Sequence, residues 1–276
     1  MKVTRFNRVF LRKKKVMKLN RLNVRTLLLE LTRECNLECK HCFRGNSQNV
    51  YMDLDIIDYI FNNVCRINEF LLTGGEPFLA KEQLKRITDS IMKDRTNISK
   101  LIIVTNGTIM SFDIVGMLLQ IKKRTDLEIR LSNDIFHSME IEDKGLKEIR
   151  EKNIDLLKEY FNVTIPYDKV YIIDKIGRAE DLTEQDLIDI NKDSNTKYIL
   201  GTNRVLEEYR NKYPLPRIID DDVVDGSLNI DVYGNITPTY YSFESEDKNK
   251  LSNIKNYKTL KLAINNIDEI LKWKMQ

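Results

Sequence analysis

Three of the chain's four cysteines fall within Cys35-Asn36-Leu37-Glu38-Cys39-Lys40-His41-Cys42, spaced C-x3-C-x2-C. Buried free cysteines are ordinarily scattered through a core, so a trio this tight points to ligation rather than packing. One loop can aim three soft thiolates at a single centre, and thiolates select iron–sulfur clusters, zinc or Cu(I). A cubane [4Fe–4S] cluster has four irons, so three cysteines leave one iron open to a further ligand. Structural zinc needs four ligands. His41, Cys65 or His137 would have to supply the fourth, and none lies at a finger-like spacing. A chain holding only such a metal would be a binding module rather than an enzyme.

The elements around the trio predict how it is positioned. Thr26–Thr32 reads as a short buried strand running into the cysteine loop. Asp53 is placed to cap a helix over Leu54–Ile67, and Phe70–Thr73 reads as a second strand ending in Gly74-Gly75-Glu76-Pro77. A helix over Lys81–Lys93 precedes a third strand, Leu101–Thr105, closed by Asn106-Gly107. A helix over Phe112–Lys123, a strand over Leu127–Ser132 and a helix over Lys144–Tyr160 follow. Lys169–Ile173 reads as a fifth strand, leading to Gly177-Arg178-Ala179. Strands alternating with helices at this spacing predict βαβ units and a parallel sheet. Chemistry in such sheets collects at the carboxyl ends of the strands, where the cysteines, Gly-Gly-Glu-Pro, Asn106, Ser132 and Asp134 all fall.

Composition bounds the class. The 276 residues are 42% hydrophobic and 32% charged, with only ten glycines and five prolines, as in an ordinary globular protein. No apolar run approaches a membrane span, and no signal-peptide pattern opens the chain. Clustered, unpaired cysteines predict a reducing, cytoplasmic setting. The net charge of +3 conceals an asymmetry: residues 1–26 hold ten Lys or Arg and no acid. The run Arg12–Lys15 can meet RNA or an acidic peptide, or it is a solvated arm.

Cys35-x3-Cys39-x2-Cys42 after one strand, joined to Gly74-Gly75-Glu76-Pro77 after the next, resembles the radical S-adenosylmethionine (SAM) enzymes. The resemblance covers about Thr26–Ala179. It implies an α/β fold, a partial (β/α)6 TIM-like barrel, with one [4Fe–4S] cluster on Cys35, Cys39 and Cys42. SAM would chelate the fourth iron and, after one-electron reduction from a donor such as flavodoxin or ferredoxin, yield a 5′-deoxyadenosyl radical. The resemblance places Gly74, Gly75, Glu76 and Pro77 at the methionyl amine, with Thr105 and Asn106 nearby. It puts Ser132 and Asp134 at the ribose or methionyl end, Arg178 at the carboxylate and His41 beside the adenine. Asn106 has a plainer reading as a turn residue, and His41 as loop packing.

The tail carries a weaker likeness. Gly234-Asn235-Ile236-Thr237-Pro238, followed by Leu251–Ile254, resembles the hairpin of SPASM or twitch extensions, which bind auxiliary clusters. Thr239 stands where a cysteine usually follows, and no cysteine occurs after Cys65. The expected organisation is a basic arm (1–25), a radical SAM core (26–205) and a small α+β SPASM-like subdomain without its own cluster (206–276). Cys65 reads as a packed thiol at a helix end or, more sharply, as a hydrogen-atom donor. Tyr240, Tyr241 and Phe243 read as pocket or core aromatics, and Asp220–Asp222 as a solvated turn. The SPASM likeness favours a peptide or protein substrate, such as a precursor peptide. Nucleotide or RNA modification and activation of a glycyl-radical enzyme are the alternatives.

Overall fold

The computed structural model describes residues 21–166, 169–201, 215–237 and 251–274. Strands β1 (Leu22–Glu30), β2 (Val64–Thr73), β3 (Asn97–Thr105), β4 (Asp126–Leu131) and β5 (Asn162–Thr164) lie side by side and parallel. Helices α1 (Leu54–Asn63), α2 (Lys81–Met92), α3 (Phe112–Lys122), α4 (Ile135–Asp143) and α5 (Lys147–Tyr160) connect them. The alternation predicts this parallel α/β sheet, and the family resemblance the partial TIM-like barrel it forms.

Alternation along each strand gives the sheet two faces. Leu27, Leu29, Phe70, Leu72, Leu101 and Ile103 join the large apolar core with helix residues such as Ile57, Ile60, Leu84 and Leu118. The intervening residues Leu28, Leu71 and Ile102 form a separate small cluster with Phe43 and Val104. That second face is the barrel interior, and its upper end opens at the cysteine loop.

The chain continues through β6 (Val170–Ile173), α6 (Glu184–Asp193) and β7 (Lys197–Leu200), with β6 and β7 paired in a separate two-stranded sheet. It then returns to the main sheet through β8 (Arg217–Ile219), β9 (Val223–Ile230), β10 (Asn235–Thr237) and β11 (Ser252–Asn253), ending in α7 (Leu260–Lys274). Strand β9 pairs in parallel with β1, Leu27 opposite Leu228 and Leu29 opposite Ile230. The expected hairpin forms, with Ile230 opposite Ile236, and extends the barrel sheet along its β1 edge. Asp220 and Asp221 take positive φ in the turn between β8 and β9.

Several expected boundaries move. Helix α1 stops at Asn63 rather than Ile67, because β-branched Val64 begins an extended run that becomes β2. Asp53 sits at the cap position without a side-chain cap bond and pairs instead with Lys255 at 2.8 Å. The fifth barrel strand is Asn162–Thr164, not Lys169–Ile173; three residues are too few to leave a period in the sequence. Helices α4 and α6 were not anticipated. Strand β1 begins at Leu22, so the last residues of the basic arm lie in the sheet. Residues 1–20, Tyr213, Pro214, Thr239, Tyr240, Tyr241 and Phe243 lie outside the described residues. Among the described residues no helix is long and apolar enough to cross a membrane.

Ile60 is fully buried between α1 and the sheet. Ile60→Ala should lower unfolding free energy by about 2–5 kcal/mol, read as a reduced denaturant midpoint at unchanged slope.

Candidate active site at the carboxyl ends of the strands

Beyond the last paired residues of β1 and β2, main-chain bonds continue into the cysteine loop. Leu31 N donates to Thr73 O (2.8 Å), Gly75 N to Thr32 O (2.7 Å) and Glu76 N to Glu34 O (2.8 Å). The two loops are zipped together immediately before Cys35. This approach is too close for side chains. A Cβ on Gly74 would lie 2.6 Å from Thr32 O, and one on Gly75 would lie 2.2 Å from Glu34 O. The glycines are therefore required by the cysteine loop itself, a role not anticipated from the sequence.

The loop is fastened at further points. Ser47 Oγ accepts from Cys35 N at 2.9 Å. Arg178 donates from Nε to Cys39 O (3.0 Å) and from its backbone N to Cys42 O (3.0 Å). Asn36 Nδ2 donates to Thr108 Oγ1 (2.8 Å), while Asn106 Nδ2 donates to Asn36 Oδ1 (3.0 Å). Asn106 also makes the turn expected of it, its Oδ1 accepting from Thr108 N at 2.9 Å with Gly107 at φ +79°.

Cys35, Cys39 and Cys42 line one cavity of about 340 Å³, within the range of small-molecule sites. Gly74, Gly75, Asn106, Ser132, Asp134, His41 and Arg178 line it too. Burial pushes the Cys35 thiol up to about 11, and raises Cys39 as well. Such thiols give up their protons to a metal centre rather than to water. His41 Nδ1 is buried with no partner among the described residues. Three thiols lining one cavity and an orphaned imidazole nitrogen beside them fit an iron–sulfur cluster with a small-molecule ligand next to it.

Glu76 and Thr105 sit under the floor of this cavity rather than in its lining. Glu76 is fully buried; its Oε1 accepts from Phe78 N (3.1 Å) and Thr105 Oγ1 (2.8 Å), and its Oε2 from Asn106 N (2.8 Å). Burial pushes its carboxyl up to about 7, against these three bonds. The carboxylate thus ties the end of β2 to the end of β3. Pro77 is buried and opens a single 3-10 turn, Pro77–Leu79.

At the end of β4, Ser132 N donates to Thr105 O (2.9 Å). Asp134 caps α4 through His137 N (3.1 Å). Its Oδ2 lies 2.6 Å from His137 Nδ1 and 3.3 Å from His41 Nε2. Although burial pushes its carboxyl up, the two imidazoles hold it well below the usual carboxylate range. The His41 ring stacks on Phe136 at 4.6 Å, with Tyr171 at its edge. Arg150, which carries no sequence signal, reaches back from α5 to Asn106 O (2.8 Å) and Ser132 O (2.9 Å), bracing the ends of β3 and β4.

Cys65 is elsewhere. It is the second residue of β2, its Sγ 3.4 Å from Leu22 O and 3.4 Å from Asn23 Oδ1. Eight strand residues, roughly 26 Å, separate it from Thr73 at the cavity. The structure does not bring it to the site.

An α/β barrel with a three-thiol cavity at the carboxyl ends of its strands defines a class of cofactor-dependent enzymes. The profile of the Radical SAM superfamily matches residues 29–175. The chain belongs to that family, whose members use a [4Fe–4S] cluster and SAM. It is similar to L-lysine 2,3-aminomutase of Buchnera aphidicola, 28% identical over 154 residues, 51% of this chain and 44% of that protein. It is also similar to the antilisterial bacteriocin subtilosin biosynthesis protein AlbA of Bacillus subtilis, 30% identical over 110 residues, 38% of this chain and 23% of that protein. The match spans less than half the length of either. In fold it resembles the solved structure of anSMEcpe with bound AdoMet and Cp18Cys peptide, at TM-score 0.52 and 15% identity, covering 90% of this chain and 80% of that one.

Glu128, deeper in the barrel, pairs with Lys100 at 2.6 Å and Arg130 at 3.0 Å and accepts from Thr164 Oγ1 at 2.7 Å. Burial alone would raise its carboxyl, but these partners bring it to about 2. The unfolded chain therefore takes up this proton near pH 4.5 and the folded chain only near 2. The stability advantage of wild type over Glu128→Gln, present at pH 7, should shrink as pH falls through that window in chemical denaturation.

Gly75→Ala should fold yet lose most of its iron after anaerobic reconstitution. Cys65→Ala should load as wild type does; iron and sulfide analysis reads both.

Proposed function

We propose that Cys35, Cys39 and Cys42 ligate a single [4Fe–4S] cluster and that SAM occupies the adjoining cavity. The observation that carries this reading is the pairing of the three-thiol loop with the Gly74–Gly75 edge on one cavity wall. Bound there, the cofactor pair supplies one-electron opening of the SAM sulfonium and hydrogen abstraction from a substrate. The chain's own groups hold and orient. Main-chain groups of Gly74 and Gly75 meet the methionyl amine, and Glu76 and Thr105 keep that edge in place from below. Arg178 and Ser132 would serve the methionyl carboxylate and ribose, and Asp134 would fix the His41 ring beside the adenine. Four unpaired cysteines suit the cytoplasm, where flavodoxin or ferredoxin would deliver the electron.

The substrate in this reading is a peptide or protein. AlbA acts in bacteriocin biosynthesis, and the anSMEcpe structure holds a peptide; both support it without defining the residue modified. The segment from 206 onward is read as a SPASM-like extension without a cluster, its described strands continuing the barrel sheet. It has no cysteine, and its hairpin is tied instead by Asp231, Asn235 and Asn253 at 2.8 Å contacts. The basic arm is read as a dock for an acidic leader peptide, and RNA is the competing partner for it.

The test is to incubate reconstituted, dithionite-reduced protein with SAM and short peptides encoded beside its gene. The expected result is 5′-deoxyadenosine together with a SAM-dependent mass shift in one peptide, weakened when residues 1–18 are removed. Mass shifts only in RNA would replace the peptide reading with the nucleic-acid one.

A further inference from the structure

Two buried carboxylates of the barrel interior are each paired with two cations. Glu30 at the end of β1 meets Arg44 and Arg33. Glu128 on β4 meets Lys100 and Arg130. Each carboxylate is fully or nearly fully buried; Asp231 also acts on Glu30, and Asp126 and Glu69 act on Lys100.

The two sets differ in what they can still bind. Arg44 also reaches Thr73 Oγ1 and lies over the Phe43 ring, so it is committed to the loop. Arg130 is not. Its Nε and Nη2 both donate to the same oxygen of Glu128, at 3.1 and 3.0 Å. Its other donors have no partner among the described residues, its side chain is one-third exposed, and that exposed part lines the cavity. Glu128 and Lys100 beneath it fix the guanidinium in place, which preorganises it for a planar anion.

Register places this group. Glu30 pairs with Thr73, Leu72 with Ile103, and Val104 with Arg130, which pairs with Thr164. Glu30, Thr73, Val104, Arg130 and Thr164 therefore form one level of the interior. Arg130 lies two residues before Ser132 and, level with Thr73, one residue below Gly74, roughly 3 Å deeper along the strands. A ligand that reaches it lies in the cavity lined by the thiols and Gly74, beside Thr73 and Val104.

We propose that Arg130 is the anchor for a carboxylate of the substrate inside the barrel. This rests on the peptide reading and narrows it to a peptide that presents an acidic side chain or its own carboxyl terminus. A partly desolvated guanidinium with open donors recognises a carboxylate by paired charge-assisted hydrogen bonds. Leaving it unpaired when a neutral peptide displaces water carries a desolvation cost. Arg130 is a specificity residue here, acting on binding rather than on the reacting atoms.

Three N-acetyl tetrapeptides test it against SAM-loaded, cluster-containing protein by isothermal titration. They are Ala-Ala-Glu-Ala amide, Ala-Ala-Gln-Ala amide, and tetra-alanine with a free carboxyl terminus. At least one carboxylate peptide should bind about tenfold or more tighter than the glutamine peptide, and which one binds identifies the source of the carboxylate. Arg130→Gln should erase that preference while leaving iron content and SAM affinity unchanged, and Arg130→Lys should keep part of it. Equal binding of acidic and neutral peptides, or a preference that survives Arg130→Gln, overturns the anchor and leaves the peptide reading standing. A comparable loss of SAM affinity in Arg130→Gln overturns it too, because Arg130 would then belong to the cofactor. Binding of none of the three peptides removes both the anchor and the peptide reading.

Discussion

The structure depends on one close approach: the backbone of Thr32–Glu34 lying against Gly74 and Gly75. Parallel strands β1 and β2 end side by side, but their ladder does not stop with them. It runs on through three more main-chain bonds into the segment that carries the first cysteine. Only residues without a Cβ allow the two backbones this close. The approach fixes where Cys35 starts, and so where three thiols with short connecting loops can converge.

Everything else at the upper end of the barrel stabilises that arrangement from a different side. Glu76 and Arg150 tie neighbouring strand ends from below and behind. Arg178 holds the far half of the cysteine loop by its carbonyls. Asp134 joins the loop's His41 to the start of α4. These groups are buried or half-buried and their polar atoms are largely satisfied within the protein, as buried polar groups must be. The exceptions, His41 Nδ1 and the open edge of Arg130, both belong to residues that line the cavity.

Much of this was legible in the sequence. The cysteine spacing, Gly-Gly-Glu-Pro and Asn106-Gly107 are local signals, and each sits where a strand end was expected. Apolar runs such as Leu101–Val104 marked the long strands because burial on both faces leaves an unbroken hydrophobic stretch. What could not be read depends on contacts between distant residues. Strand β5 is too short to carry a period. Arg150 and Arg178 act through backbone carbonyls of distant segments, Asn106 O and Cys39 O among them. Glu76 looked like a ligand-binding carboxylate, and nothing local shows that the end of β3 occupies it. Cys65 lies in a strand rather than a helix because α1 ends at Asn63, and as the second residue of β2 it sits at the end of the barrel away from the cavity.

The central claim is that three cysteines hold a cluster whose remaining iron is open to SAM. Electron paramagnetic resonance of the anaerobically reconstituted, dithionite-reduced protein, recorded with and without SAM, tests it most directly. The account predicts about four irons per chain and a reduced-cluster signal that changes when SAM is added. A colourless protein holding one zinc, or a cluster signal indifferent to SAM, would contradict it.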